Sequence, residues 1–361
     1  MADKERFTSG RKLDHLRICA GQDVEAGWTG FSDVRLAHCA LPECDMDRID
    51  MQVRFLGARF RSPLFIAAMT GGHRDTKEVN RRLARAAERF GIGMGVGSQR
   101  AALENPDLED TFSVVREEAP HAFLAANLGA VQLREHGIEW AERAIAMIEA
   151  DAIAIHLNFL QEAIQPEGDH NAAGCIDAIR DLANGIRVPV IVKETGSGIS
   201  AETARQCWGA GCRAIDIGGW GGTNWAAIER VRAGETKKAE HRGLIGLGAR
   251  FTDWGIPTVV SLAEVAGTDG PVIATGGVRS GLDIAKAVAL GSDLAGMALP
   301  LLAPALESED ALGQAIEGIL RELSVAMFLS GSPNIAALGK AKTYITGKTR
   351  EMMRETGKRA R

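Results

Sequence analysis

Aromatic side chains are scarce in these 361 residues: 5% in all, with a single tyrosine, Tyr344. A surface that stacks nucleic-acid bases needs more of them, and a net charge of −5 removes the broad basic field that such a surface also requires. The six cysteines, Cys19, Cys39, Cys44, Cys175, Cys207 and Cys212, form no C-x-x-C pair. Zinc and dithiol motifs are therefore unsupported, and the chain reads as a reduced, cytoplasmic protein. No apolar run reaches the roughly 18 residues of a membrane span. The longest, residues 294–306, is interrupted by Pro300 and Pro304. Residues 1–17 are too charged for a secretory signal. Nucleic acid and membrane are thus not expected partners, while a local basic pocket for phosphate stays open.

What the chain has in excess is glycine, 42 residues, and clusters of them fall just after short apolar runs. Those runs read as strands near residues 64–69, 92–96, 123–126, 152–155, 190–192, 214–217, 272–275 and 294–298. Helical patterns lie between several of them, at 75–90, 131–149 and 280–290, with another starting at Pro257. Eight strands alternating with helices predict an α/β fold, a closed (β/α)₈ TIM barrel over 63–304. An N-terminal arm and barrel-plugging segment (1–62) and C-terminal helices with a basic tail (305–361) would flank it. An open doubly wound sheet is the runner-up, but it usually carries one glycine fingerprint, after its first strand. Within the arm, residues 1–17 read on composition as solvated and partly disordered; the functional alternative is an arm that folds over an anion. The pair 53–55 and 59–60 reads as a hairpin around Gly57. Residues 225–254 read as an inserted loop with some helix, and the tail from Lys340 as surface.

Chemistry concentrates where the fourth strand ends: His156-Leu157-Asn158-Phe159-Leu160-Gln161-Glu162, then Gln165-Pro166-Glu167-Gly168-Asp169. Polar groups at that density on a core edge are costly unless a ligand satisfies them. In parallel α/β proteins ligands sit at the carboxyl ends of strands. Glu162 is a candidate Mg²⁺ ligand, since one carboxylate beside a diphosphate is how that ion is usually held; a first-turn glutamate favoured by the helix dipole is an equal alternative. Lys193 ends an apolar strand at the same mouth, where a fixed cation could stabilise an anionic ring. Thr70, Ser98, Asn127 and Thr223 end other strands with small polar groups. Gly276-Gly277-Val278-Arg279 and Gly296-Met297 match the paired late loops that hold a phosphate in such barrels. Arg100, with Arg11 and Lys12, could clamp a second phosphate ligand, although a surface ion pair explains Arg100 alone equally well.

These residues together resemble the type 2, flavin-dependent isopentenyl-diphosphate isomerases. The resemblance runs over roughly residues 6–350. It is carried by Arg11-Lys12 with His15, Ala68-Met69-Thr70-Gly71-Gly72, Gly95-Val96-Gly97-Ser98-Gln99-Arg100, Asn127-Leu128-Gly129, the 156–169 stretch, Val192-Lys193-Glu194, Gly221-Gly222-Thr223 and Gly276-Gly277-Val278-Arg279. It implies FMN held by Ala68, Met69, Thr70, Ser98, Asn127, Lys193, Thr223, Gly276, Gly277, Val278, Gly296 and Met297. It implies a prenyl diphosphate gripped by Arg11, Lys12, Ser98, Gln99, Arg100, His156, Asn158 and Gln161, with Mg²⁺ on Glu162. Gln161, Lys193 and His156 form the implied catalytic set. Reduced FMN would act as acid–base and electrostatic catalyst, with NADPH needed only to reduce it, in a homo-oligomer of four or eight chains. Gly218, Trp220, His170 and Ala172 depart from the commoner residues at their positions. The rival reading on the same scaffold is an FMN-dependent 2-hydroxy-acid dehydrogenase or oxidase.

Overall fold

Eight short parallel strands close on themselves: β1 (Leu64–Ile66), β2 (Gly93–Gly95), β3 (Leu124–Gly129), β4 (Ala152–Leu157), β5 (Val190–Glu194), β6 (Ala214–Asp216), β7 (Val272–Ala274) and β8 (Leu294–Met297). Each pairs with its neighbours in sequence, and β8 pairs with β1 to complete a TIM barrel. The computed structural model describes residues 2–166, 168–235 and 242–355, without the side chains of residues 2–11 and Arg242. Arg11 as a side chain, and Glu167, lie outside the described residues.

The strands are buried on both faces, which is why they read as continuous apolar runs. Small inward residues, Ala125, Ala152, Ala154 and Ala214, leave room inside the barrel. That room is filled from below by the hairpin Val53–Phe55 and Ala58–Phe60. Phe55 and Phe60 insert beside Phe123, with ring centroids 5.4–6.2 Å apart. The bottom is therefore a packed aromatic plug, and any ligand space must lie at the opposite, carboxyl-terminal mouth.

Three regions carry more regular structure than the sequence reading specifies. The arm is a helix, Ala2–Gly21. It lacks an apolar stripe of helical period, and tertiary contact supplies what propensity does not: Ile18 and Val24 bury against Ile228, and His15 meets the Trp225 ring edge-on at 5.0 Å. The supposed inserted loop contains two helices, Trp225–Glu235 and Arg242–Phe251. The tail from Lys340 is a strand, Thr343–Ile345, paired antiparallel with Val34–Leu36, followed by helix Gly347–Glu355. The helix beginning after Pro257 is present as Thr258–Val265, and the amphipathic C-terminal helix as Glu309–Leu329.

Between the N-terminal helix and Val34 the chain threads across the mouth. Ala26 donates to the Gly222 carbonyl, Asn224 to that of Val24, and Val259 to that of Thr29. Lys286, almost fully buried, donates its Nζ to the Phe31 carbonyl at 2.8 Å. Residues 24–31 thus fasten the loops after β6 and β7 to each other.

Candidate active site

The barrel register sets the site. His156 on β4 stands opposite Lys193 on β5, and Lys193 opposite Asp216 on β6. Each ends a strand whose earlier residues are apolar, so three ionisable groups lie at one level of the mouth and line one cavity.

Asn127 orients His156. Its Nδ2 donates to the Val96 carbonyl at 2.9 Å, which leaves Oδ1 to accept from His156 Nδ1 at 2.8 Å. The imidazole tautomer is thereby fixed, with Nε2 lying over Gly129, where a Cβ would come within 3.0 Å of it. Gln132 sits at the same spot: its Oε1 would be 2.0 Å from that Cβ.

Beyond β4 the chain turns into the short helix Phe159–Ile164, which carries Gln161 and Glu162. Glu162 is buried. Its Oε1 accepts from Asn158 Nδ2 at 2.9 Å, and its Oε2 from Gln165 Nε2 at 2.5 Å and from the Asp169 N–H at 2.9 Å. The carboxylate is aimed by three neutral donors and has no cationic side chain among these partners. Gln161 Nε2 donates to Glu229 Oε1 at 3.0 Å. Glu229 comes from helix Trp225–Glu235, which Asn224 starts by accepting from the Ala227 N–H. Burial alone would push the Glu229 pKa up, but His15, Arg232 and Gln161 pull it down to about 2.

On the opposite wall, Asp216 is paired through Thr275 Oγ1 and the Gly218 N–H. Burial raises its pKa against the pull of the Lys193 charge. Lys193 Nζ donates to the Glu194 carbonyl at 3.0 Å. Glu194 Oε2 sits in a nest of three successive N–H groups, from Gly196, Ser197 and Gly198.

The late loops are made of backbone. Gly276 (φ 101°) and Gly277 (φ 68°) adopt conformations that favour glycine. A Cβ at Gly276 would lie 2.0 Å from the Gly219 carbonyl oxygen. The N–H groups of Gly276, Gly277 and Val278 have no acceptor among the described residues, and they precede helix Gly281–Ala289. Arg279 lines the cavity beside them and pairs with Glu25. Orphan donors, a cation and a helix start form a donor set that fits a phosphate monoester. Gly218, a departure from the usual residue, has φ 49° and leaves no space for a Cβ against the Glu194 carbonyl, 2.1 Å away. Trp220, another departure, turns out of the loop: its Nε1 donates to the Thr252 carbonyl, and its ring covers Gly27.

The cavity brings together Lys12, Ala68, Met69, Thr70, Ser98, Arg100, Asn127, His156, Asn158, Gln161, Glu162, Lys193, Thr223, Gly276, Gly277 and Gly296. Three expected contacts turn their side chains elsewhere. Gln99 is fully buried, its Nε2 bonded to the Ala144 carbonyl and its Oε1 accepting from the Asn127 N–H. Val278 and Met297 are packed into the core between barrel and helices. Arg279, part of the expected phosphate loop, lines the cavity, and so do residues that the sequence reading did not single out as ligand contacts: His15, Leu16, Cys19, Gln132, Gln165, Glu194, Asp216, Trp225 and Thr275. Arg100 does both things weighed for it, lining the cavity while its Nε donates to Glu104 at 2.8 Å.

Among the described residues no group of three or more His, Cys, Asp or Glu could hold a metal by itself, and no helix is long and apolar enough to cross a membrane. One oriented carboxylate suits Mg²⁺, which completes its shell with water and phosphate.

Comparison with known proteins places this geometry. The FMN-dependent dehydrogenase family matches residues 18–155 and 116–345. A mandelate oxidase solved with a monooxide FMN adduct superimposes with a TM-score of 0.64, covering 95% of this chain and 100% of that one; at 18% identity it shares the fold. The isopentenyl-diphosphate delta-isomerase of Methanoregula boonei is 68% identical over 97% of this chain and 98% of its own length. That of Methanosarcina mazei is 52% identical over 97% and 95%. At that identity across nearly the whole length, on an FMN-type barrel, the chain belongs to the isopentenyl-diphosphate delta-isomerase family.

Proposed function

We propose that this protein interconverts isopentenyl diphosphate and dimethylallyl diphosphate, with FMN across the barrel mouth and Mg²⁺ on the diphosphate. The observation that carries the reading is convergence: side chains and glycines from the ends of all eight strands, and from the N-terminal helix, meet at one cavity.

The orphan N–H groups of Gly276, Gly277 and Val278 would take the flavin phosphate, assisted by Arg279. Thr70, Asn127, Lys193 and Thr223 would hold the ring system. When bound and reduced, FMN supplies an electron-rich surface and an exchangeable proton; NADPH serves only to reduce it. Lys12, Arg100, His156 and Asn158 would bind the diphosphate, with Arg11 as a further cation. They fix the prenyl chain beside Gln161, and orientation of this kind lowers the barrier. Glu162 would hold Mg²⁺ at the diphosphate, its lone pairs aimed by Asn158, Gln165 and Asp169. Lys193 would offset negative charge at its end of the ring. Gln99 supports the site from behind, through Asn127. Assembly into a homo-oligomer, which light scattering would measure, belongs to the same reading.

The test is isomerisation of isopentenyl diphosphate by the purified, flavin-loaded protein. Turnover is expected to require reduced FMN and Mg²⁺ without stoichiometric NADPH loss. Equal turnover by the oxidised enzyme would defeat the mechanism. Stoichiometric bleaching of the flavin by a 2-hydroxy acid would favour the oxidase alternative.

A further inference from the structure

We infer that Glu229 is a positioning residue for Gln161, and that by sharing one oxygen between Gln161 and His15 it ties the seating of the N-terminal helix to the orientation of that amide. The inference deepens the isomerase reading and rests on it.

Glu229 lies outside the barrel and is 1% exposed. Its Oε1 accepts from Gln161 Nε2 and from His15 Nε2, each at 3.0 Å, and its Oε2 accepts from Arg232 at 2.8 Å. An amide has two ends of nearly equal shape and opposite hydrogen-bonding character. An ionised carboxylate only accepts, so it selects the NH₂ end of Gln161. The other end, Oε1, then faces Asn158 Nδ2 at 3.3 Å. Asn158 also donates to Glu162, so the orientation chosen at Glu229 is passed on to the carboxylate expected to hold the metal. A flipped Gln161 would set oxygen against oxygen at Glu229 and NH₂ against NH₂ at Asn158.

His15 enters the same oxygen from the N-terminal helix. It is buried and packed edge-on to Trp225, one helical turn from Glu229. Lifting that helix removes one of the carboxylate's donors and opens the cavity wall formed by Lys12, His15, Leu16 and Cys19. The geometry thus gives the amide its full set of restraints only when the helix is down. Gln161 touches the space where the prenyl chain would lie; Glu229 acts through it.

The experiment is steady-state kinetics on the full-length, flavin-loaded protein with reduced FMN and Mg²⁺, comparing wild type, Glu229→Gln, Gln161→Ala and the double variant. A glutamine at 229 keeps one acceptor, which Arg232 claims, and turns a donor toward Gln161. Glu229→Gln is expected to lower kcat about ten- to hundredfold with little change in KM. In the Gln161→Ala background the same change should lower kcat less than about twofold, because the two residues act as one unit. Equal fold-losses in both backgrounds would overturn the inference. Glu229→Asp keeps the charge one methylene further back and should recover part of the lost kcat. If both Glu229 variants lose bound flavin, seen in the absorbance spectrum, Glu229 is an element of the fold alone and the inference fails. A wild type that does not isomerise defeats the isomerase reading and this inference with it; wild-type turnover with additive losses defeats the positioning role alone.

Discussion

The two walls of the cavity are built from different materials. The wall formed by the loops after β6, β7 and β8 is mostly backbone: glycines packed on glycines, with N–H groups that have no acceptor among the described residues. The wall formed by the end of β4 and three helices is mostly side chain: His15, Asn158, Gln161, Glu162, Gln165 and Glu229 in one hydrogen-bonded set. Backbone donors survive every substitution but proline, yet a single added carbon can block them. Side-chain donors can be removed one at a time while the fold persists. A cofactor kept through every turnover suits the first wall, and a substrate that must come and go suits the second.

The largest effect should come from damaging the backbone wall. Gly276→Val places a branched side chain at φ 101° and against the Gly219 carbonyl. Backbone strain of about 1–3 kcal/mol plus the clash should lower the melting temperature and abolish flavin retention on gel filtration. If the variant stays yellow and stable, this wall is softer than its packing shows. Next is Glu162→Gln on the side-chain wall. Flavin absorbance should be unchanged while isomerisation falls by about 100-fold; a parallel loss of flavin would erase the distinction between the walls. Gln165→Ala removes one orienting donor from Glu162 and should raise the Mg²⁺ needed for half-maximal activity by about tenfold. An unchanged Mg²⁺ titration would show that Asn158 and Asp169 suffice.

The smallest effect is on stability against pH, and it has opposite signs on the two sides. Burial raises Glu194 to about 7, against the pull of the Ser197 and Gly196 N–H groups and of Lys193. A carboxyl raised by folding imposes no penalty below its unfolded pKa and lowers stability as pH climbs through about 7. Glu194→Gln, which keeps the acceptor, should therefore stabilise the protein more near pH 8 than near pH 5. Glu229, held at about 2, gives stability that is present above its unfolded value and lost as pH falls toward 2. Glu229→Gln should therefore be more destabilising near pH 7 than near pH 3. Denaturant midpoints measured across pH check both signs; parallel slopes for wild type and variants would refute them.

The barrel and most of its rim were legible because a buried parallel strand ends abruptly, and the first polar or glycine residue after it marks the mouth. The three residues whose side chains turn away share one feature: each sits inside a motif read as a block. Ser98 and Arg100 line the cavity while Gln99 between them does not; Gly296 and Ala298 line it while Met297 does not; Gly277 and Arg279 line it while Val278 does not. Met297 lies in a strand, which sends alternate side chains to opposite faces; Gln99 sits at a helix start, with φ −83° and ψ 3°, and Val278 follows Gly277 at φ 68°, so there the turn sets the face. Glu229 was illegible for another reason. It lies 68 residues from Gln161, on a charged helix with no local sign of its partner. The N-terminal helix was missed because its order derives from docking against Trp225 and Ile228, which composition cannot express.

The crossing segment also constrains the timing of synthesis. Asp33 accepts from Thr349, 316 positions later, and residues 24–31 bind loops that leave the ribosome late. At roughly 5–20 residues per second this segment waits on the order of 15–60 s for its last partners. The crossing segment is therefore fully fastened only after the C-terminal helix has emerged. Chains stalled short of Thr349 should present residues 24–36 to protease, and full-length chains should protect them.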